Sequence, residues 1–270
     1  MIRKITFVFA LAAIISSCTK NVLTGKKQLT LLPETELQSM ATTEYQKFLS
    51  TNKVVTTSNN RDAEMVKRVG QRIVKAVETY YAEKGMTDQL AGFKWEYNLV
   101  DDKTVNAWCM PGGKIVVYTG ILPITQNEAA LAAVMGHEVC HALLQHGNQR
   151  MSQGLLASVG QVALAVAVAN KPQETQNLFL GAYGAGAQVG ILLPFSRKHE
   201  LEADQYGLLF TEMAGYNPQE AIGLWERMEK LSNGQKPPEF LSTHPTEGRR
   251  IEQLQKFMPE ALKYYKPQGK

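Results

Sequence analysis

The chain has 270 residues, of which 44% are hydrophobic, and this is enough to supply a sizeable core. Its net charge of +4 is small and spread along the sequence, which argues against nucleic acid as a partner. The sequence contains no internal repeat and no long low-complexity tract. We therefore expect one domain, with at most a helical excursion.

The N-terminus has the pattern of an export signal. Arg3 and Lys4 precede an apolar run over residues 5–15, which is too short to span a bilayer. The sequence ISSC that ends at Cys18 resembles a bacterial lipobox. The pattern therefore predicts a lipoprotein signal peptide over residues 1–17 and lipidation of Cys18.

Lipidation would anchor the chain to a membrane without a spanning helix. We then expect a lipid-anchored tether over residues 18–32 and the main domain over residues 33–270. The predicted location is a bacterial cell envelope, facing the periplasm. Because Thr19 is not Asp, the outer membrane is favoured over the inner membrane.

Two helices and a strand are predicted before residue 100. Pro33 begins a helix to about Ser50, and Asn60 caps a longer helix with one apolar side. Residues 93–99 alternate between apolar and polar side chains, which indicates a half-buried strand.

Residues 106–120 predict a strand hairpin, because Gly112 and Gly113 form a turn between two strand-like runs. The strand before this turn can lie at a sheet edge, and an exposed edge binds an extended peptide through main-chain hydrogen bonds. The alternative is a purely structural hairpin.

Residues 137–141 (HEVCH) carry the most informative pattern of the chain. Asn127 is a good N-cap, and the helix that it begins is expected to run to about Gln145. His137 and His141 then lie one turn apart on one face and can bind one Zn²⁺, while Glu138 reaches the metal-bound water. Gly136 indicates close approach of a strand or of substrate.

Catalytic zinc usually has three protein ligands, so a third ligand is expected downstream. A second helix is predicted over residues 196–207, with Ser196 as its N-cap and with Glu200 and Asp204 on one face. His146 lies about 180° around the first helix from His137 and is expected at the surface or at the helix end. The residue types alone leave six candidates open: His146, His199, Glu200, Glu202, Asp204 and His244.

The motif HExxH at residues 137–141, followed by SRxxExEADxxG at residues 196–207, resembles a family of zinc metallopeptidases. This family includes the CAAX prenyl endopeptidase, the HtpX heat-shock protease and periplasmic quality-control lipoproteins, and the resemblance covers nearly all of residues 20–260. It implies that Glu200 is the third zinc ligand and that Asp204 holds a zinc-binding histidine in its tautomer. An ordinary surface carboxylate is the alternative for Asp204.

Two further segments resemble the same family. Residues 106–113 match its NAxxxPGG hairpin, and residues 244–250 match its HPxxxxR element. The resemblance places Asn106 and His244 as candidates for holding the oxyanion, and Arg250 as a supporting residue of the site. His244 is alternatively a reversible extra ligand that blocks the water position, or a structural residue.

Two stretches leave alternatives open. Cys109 and Cys140 can form a disulfide between strand and helix, or Cys140 can instead be a small buried hydrophobe. The apolar runs 155–169 and 178–194 are both short for a bilayer span, so residues 151–195 are predicted to form a helical hairpin that covers the site or touches a membrane surface.

The sequence therefore predicts an α+β fold, mostly helical, with a small sheet whose edge strand flanks the HExxH helix. The predicted function is a metalloendopeptidase with one Zn²⁺ per chain, acting on misfolded or misassembled envelope proteins, with a membrane as its second partner. One alternative is a chaperone that uses the peptide groove without cleavage. Another, a membrane-embedded prenyl-protein processing enzyme, is disfavoured by the short apolar runs.

Overall fold

The computed structural model describes residues 18–187, 193–232, 238–244 and 250–265. The predicted signal peptide lies outside these residues. Contacts divide the chain into a smaller unit, residues 1–34 and 145–199, and a larger unit, residues 35–144 and 200–270.

The described part of the chain is mostly helical, with ten α-helices and six short strands, which confirms the predicted α+β class. Two 3₁₀ turns, Thr87–Leu90 and Thr119–Ile121, complete the regular structure. The helices, in chain order, are α1 (Glu34–Thr51), α2 (Arg61–Glu83), α3 (Leu122–Thr125), α4 (Glu128–Leu143), α5 (His146–Val168), α6 (Gln173–Ala187), α7 (Leu193–Met213), α8 (Glu220–Ser232), α9 (Glu239–Thr243) and α10 (Arg250–Ala261).

The larger unit contains a four-stranded mixed sheet with the spatial order β3-β4-β6-β5. The pair β4–β6 is parallel, and the pairs β3–β4 and β5–β6 are antiparallel. Strand β5 therefore lies at an edge, and it packs against α4, as predicted. The strands are β3 (Val54–Val55), β4 (Glu96–Val100), β5 (Ala107–Met110) and β6 (Lys114–Tyr118).

The turn between β5 and β6 depends on its two glycines. Gly112 and Gly113 have φ values of 81° and 82°, a region that side chains with a Cβ rarely adopt. A Cβ on Gly113 would also lie 2.4 Å from the ring of Trp95. The predicted strand over residues 93–99 is shorter in the structure, where β4 runs from Glu96 to Val100 and Trp95, just before it, packs over this turn.

Helix α4 is the central helix of the larger unit and has buried residues on all sides. Its N-cap is Asn127, whose side-chain oxygen accepts a hydrogen bond from the Ala130 backbone N–H at 2.8 Å. The same arrangement begins α2, where Asn60 accepts from the Ala63 N–H at 2.9 Å. Both caps agree with the sequence prediction.

Helices α4 and α7 cross in direct backbone contact at two glycines. A Cβ on Gly136 would lie 2.9 Å from the carbonyl oxygen of Gly207, and one on Gly207 would lie 2.9 Å from the backbone nitrogen of His137. The expectation that a strand or substrate approaches Gly136 was therefore wrong. The close neighbour is a helix, because a glycine on each helix lets the two backbones approach.

In the smaller unit, residues predicted to be a tether form a hairpin of β1 (Cys18–Lys20) and β2 (Lys27–Leu29). Strand β2 packs against α5. The chain after β2 is also held, since the Leu31 N–H donates to the Ser152 hydroxyl at 2.8 Å. The lipidation of Cys18 and the domain boundaries stay predictions.

Helix α5 is longer than the apolar run over residues 155–169, because it begins at His146. Among the described residues it is the one helix long and apolar enough to cross a membrane, and 17% of its most apolar window is buried. Its exposed large hydrophobic side chains are Met151, Leu155, Val159, Val162 and Val166.

Two local predictions in this region were wrong. His146 is buried and stacks on His199 with 4.2 Å between ring centroids, because Gln145, at φ 53°, ends α4 and redirects the chain into α5. Ser196 is not an N-cap, because α7 already includes Leu193. Pro194 does not prevent this, since proline is compatible with the first turn of a helix.

Candidate metal centre

Four side chains of the larger unit bring their possible ligand atoms within 4.8 Å of one another: His137, His141, Glu200 and His244. The two histidines of α4 have Nε2 atoms 2.9 Å apart. Glu200 of α7 places its carboxylate oxygens 3.2 Å from His137 Nε2 and 3.4 Å from His141 Nε2. The structure thus brings together the three predicted ligands. His137 and His141 lie one turn apart on α4, and Glu200 lies on α7, which crosses α4 at the two glycines.

This group fits a zinc ion. With bonds of about 2.0–2.1 Å, a tetrahedral ion separates its ligand atoms by roughly 3.3–3.4 Å. The three separations among His137, His141 and Glu200 are 2.9, 3.2 and 3.4 Å. Two imidazoles and one carboxylate are also a ligand set of catalytic zinc that leaves a position for water.

Glu138 lies beside this group and is buried, with 3% of its surface exposed. Burial raises the pKa of its carboxyl group. Its Oε1 atom has no hydrogen-bond partner among the described residues, and His244 Nε2 is 3.4 Å away. A buried carboxylate with a raised pKa, and with an oxygen that accepts no hydrogen bond, suits a general base.

Asp204 and Arg250 both contact the ligand side chains. Asp204 Oδ1 lies 2.9 Å from His137 Nδ1, an arrangement that leaves His137 Nε2 available for a metal. Arg250 donates hydrogen bonds to Asp204 Oδ1 at 2.6 Å and to Glu200 Oε2 at 3.4 Å. Burial alone would lower the pKa of His137, but its hydrogen bonds with Asp204 and Glu200 outweigh burial and raise that pKa to about 9.

His244 lies at the metal group although it is far downstream in sequence. It follows the last residue of α9, and its Nδ1 atom is 3.1 Å from Glu200 Oε2 and 3.2 Å from His137 Nε2. This position is compatible with a ligand and with an oxyanion donor. Pro245, the next residue of the predicted HPxxxxR element, lies outside the described residues.

Asn106 is not brought into the metal group. Its side-chain nitrogen donates to Glu239 Oε1 at 3.1 Å, and its side-chain oxygen accepts from the Ala107 N–H at 2.9 Å. It therefore links the start of β5 to the helix that precedes His244. Its role at the oxyanion stays a prediction.

Two aromatic residues at the site were missed by sequence reasoning. The Arg250 guanidinium lies 3.4 Å above the centre of the Trp225 ring, and Phe240 stacks on His244 with centroids 4.6 Å apart. Neither belongs to a recognisable motif. The amphipathic pattern of α8 predicts that Trp225 is buried but not what it contacts.

Cys109 and Cys140 are both free thiols in the structure. Burial raises the pKa of each, and Cys140 has no exposed surface. Cys140 thus fits the reading as a small buried hydrophobe. The other candidate ligands, His146, His199 and Glu202, are buried but do not belong to the metal group.

Comparisons with known proteins find metalloendopeptidases. The chain is 36% identical over 200 residues to mitochondrial metalloendopeptidase OMA1 of Saccharomyces cerevisiae, covering 71% of this chain and 55% of that protein. It is 29% identical over 248 residues to the mitochondrial metalloendopeptidase OMA1 of Homo sapiens, covering 89% and 46%. It is also 28% identical over 165 residues to the beta-barrel assembly-enhancing protease of Escherichia coli, covering 58% and 33%. The chain spans about half the length of the Saccharomyces cerevisiae relative.

These relatives contradict the predicted location. Proteins from yeasts, a plant and animals that match over much of the chain are named as mitochondrial, so the predicted location, facing the periplasm at a bacterial outer membrane, was wrong. That prediction depended on the short pattern around Cys18 and on Thr19. The catalytic motifs carry no information on the compartment, since the same metal chemistry works in any of them.

Residues 61–258, which include every member of the metal group, match the model of peptidase family M48. The family resemblance noted in the sequence is therefore confirmed, and the relatives are named as metalloendopeptidases. Enzymes of this family depend on zinc, in agreement with the geometry of His137, His141 and Glu200. The chain belongs to peptidase family M48.

Proposed function

We propose that this chain is a metalloendopeptidase with one zinc ion, held by His137, His141 and Glu200. The observation that carries the proposal is the convergence of these ligand atoms beside the buried carboxylate of Glu138. Zinc at this position would polarise the scissile carbonyl and lower the pKa of a bound water molecule.

The other side chains of the site have separate roles in proton transfer, ligand orientation and oxyanion binding. Glu138 takes a proton from the attacking water and delivers it to the leaving amine. Asp204 and Arg250 hold His137 and Glu200 in orientation. His244 either donates a hydrogen bond to the oxyanion or occupies the water position and holds the enzyme latent.

The substrates that we propose are extended segments of misfolded or misassembled proteins. Support comes from β5, an edge strand that packs against the metal-binding helix α4. Main-chain pairing with such an edge accepts many sequences, because it depends on backbone groups of the substrate. One relative is named a beta-barrel assembly-enhancing protease, a name that links proteolysis with the assembly of other proteins.

We also propose that a membrane is a partner of the chain. Helix α5 supports this, because its apolar side chains are exposed. Lipidation of Cys18 would be a second attachment, and two attachments give durable binding. Cys18→Ser should reduce recovery in the membrane fraction after a high-salt wash, and unchanged recovery would assign the attachment to other residues.

The test of the function is Glu138→Gln, compared with wild type and with Glu202→Gln. We expect Glu138→Gln to bind zinc as wild type does and to lose cleavage of an unfolded protein such as casein by several orders of magnitude, because only proton transfer is removed. Glu202→Gln should cleave normally. Cleavage by Glu138→Gln at the wild-type rate would refute the mechanism.

The chaperone alternative makes a different prediction in the same experiment. If the chain acts by binding alone, wild type and Glu138→Gln will suppress aggregation of an unfolded protein equally, and no cleavage products will appear with either. Cleavage by wild type that requires zinc excludes this alternative.

A further inference from the structure

Behind the metal group lies a pair of buried aromatic side chains, Trp225 of α8 and Phe240 of α9. Their ring centroids are 5.7 Å apart with an interplanar angle of 33°, and 3% and 0% of their surfaces are exposed. Neither offers a ligand atom to a metal. Each, however, has a polar residue of the site packed on its ring.

The guanidinium of Arg250 stacks on the face of the Trp225 ring. The 3.4 Å separation between guanidinium and ring centre is a stacked cation–π contact, and it is strong when both partners are desolvated. Arg250 is 4% exposed and donates to both Asp204 and Glu200. The stack fixes the orientation of the guanidinium plane. This orientation determines where the N–H donors of Arg250 lie relative to the carboxylates of Asp204 and Glu200.

The imidazole of His244 stacks on the ring of Phe240 in a similar way. The two rings are 4.6 Å apart and nearly parallel, at 27°. Phe240 is itself held by its backbone, since its N–H donates to the Val105 carbonyl at 3.1 Å. The imidazole of His244 is thereby held against the metal group by a ring that is anchored next to the start of β5.

We propose that Trp225 and Phe240 are positioning residues of the metal centre, with separate effects. Trp225 positions Arg250, whose donors hold the ligand Glu200 and the His137–Asp204 pair, and its ring also lies 6.1 Å from that of His137, so it controls metal affinity. Phe240 lies 6.3 Å from the His137 ring at a tilt of 53°, but it stacks directly on His244, so its larger effect is on turnover. The proposal rests on the proposed function, because it assumes that zinc occupies the group.

The first experiment measures zinc affinity by competition with a chromophoric chelator, which needs no activity. Trp225→Leu should bind zinc about 10–100-fold more weakly, the usual effect of losing support behind a ligand. Trp225→Phe keeps an aromatic face and should remain close to wild type. If Trp225→Leu does not fold in the absence of zinc, Trp225→Met replaces it, because methionine fills an irregular core space better.

The second experiment separates metal affinity from catalysis. Phe240→Leu should change zinc affinity far less than Trp225→Leu does, while kcat changes by about tenfold or more in the same direction as in His244→Ala, because His244 is displaced from the reacting atoms. KM should change little. A loss of zinc affinity in Phe240→Leu equal to that in Trp225→Leu would overturn the separate roles.

The matched control is Phe210→Leu, which removes a fully buried aromatic side chain of α7 that packs on Tyr80. Among the described residues, no ring contact joins Phe210 to a histidine of the metal group. It should lower the melting temperature without changing zinc affinity. The proposal fails if Phe210→Leu weakens zinc binding as much as Trp225→Leu, or if Trp225→Leu binds zinc as wild type does. Wild type that binds no zinc would instead refute the proposed function, before any variant is compared.

Discussion

His137 and Asp204 form a buried pair in which the Nδ1 atom of the imidazole lies 2.9 Å from the carboxylate oxygen. The contact joins α4 to α7 directly behind the metal group, and Arg250 donates to the same oxygen at 2.6 Å. The carboxylate therefore fixes both the tautomer and the ring orientation of His137.

Replacing Asp204 by Asn should weaken zinc binding by about 10–100-fold, because the amide can present its NH₂ group to His137 and no longer requires the productive tautomer. Chelator competition measures the change. Glu202→Gln, two residues earlier on α7, is the control. An equal loss of zinc affinity in both variants would show that Asp204 has no specific role in orienting His137.

The assignment of the third ligand is tested by zinc content. Glu200→Gln should lose most of its bound zinc on dialysis, whereas Glu202→Gln should retain it, because only Glu200 contacts both histidines of α4. Elemental analysis of the purified proteins gives the answer. Loss of zinc from Glu202→Gln alone would reverse the assignment.

His244→Ala distinguishes a latch from a transition-state donor. Zinc content should be unchanged in either case, because His137, His141 and Glu200 remain. Higher activity or new cleavage sites would indicate a latch, and lower kcat would indicate a donor. An unchanged rate and substrate range would show that His244 is structural.

Stability should fall as the pH rises through about 7, because of Glu212. Burial raises the pKa of this carboxyl group to about 7, although the backbone N–H groups of Tyr264 and Tyr265 act in the opposite direction. A carboxyl pKa raised on folding stabilises the fold below the unfolded value, and this contribution is lost as the pH rises through the folded value. Glu212→Gln should therefore raise the melting temperature at pH 8 relative to wild type and change it little at pH 5; a larger gain at pH 5 would contradict the assignment.

Gly207→Ala should destabilise the fold and weaken zinc binding together. The added methyl group would meet the backbone of His137, which cannot move without shifting a ligand, and such overpacking costs about 1–3 kcal/mol. Gly147→Ala is the control, since no atom lies within 4 Å of its Cβ position and alanine favours a helix. Thermal melts with and without zinc measure both effects.

The parts of the site that local spacing controls were predictable from the sequence. The separation of His137 and His141 by four residues needs only a helix, and the Asn127 cap predicts where that helix begins. Glu200, by contrast, was one of six candidates until the resemblance selected it. Which distant residues meet depends on how helices pack, and spacing along the chain does not contain that information.

The contacts of Trp225, Phe240 and Gly136 show that the sequence predicts which residues are buried better than it predicts which residues meet. An amphipathic pattern predicts burial but not the partner, so the stack of Arg250 on Trp225 was not foreseen. The close approach at Gly136 was foreseen, but its neighbour was misassigned. His146 was misplaced because its predicted position was measured around the helix of His137, whereas Gln145, with a positive φ, separates that helix from α5, where His146 is the first residue.

His141 lies on α4 and Glu200 lies on α7, so a metal ion bound by both residues would close the long segment between them into a loop. Residues 142–199 leave one ligand-bearing helix and return to the other, so an ion shared by His141 and Glu200 ties the two ends of this segment together. The ion binds the folded chain and not the unfolded one, so it stabilises the fold by mass action, and the entropy cost of closing the segment between its ligands grows only slowly with the length of that segment. Changes in the length of the segment should therefore cost little stability as long as the metal remains bound.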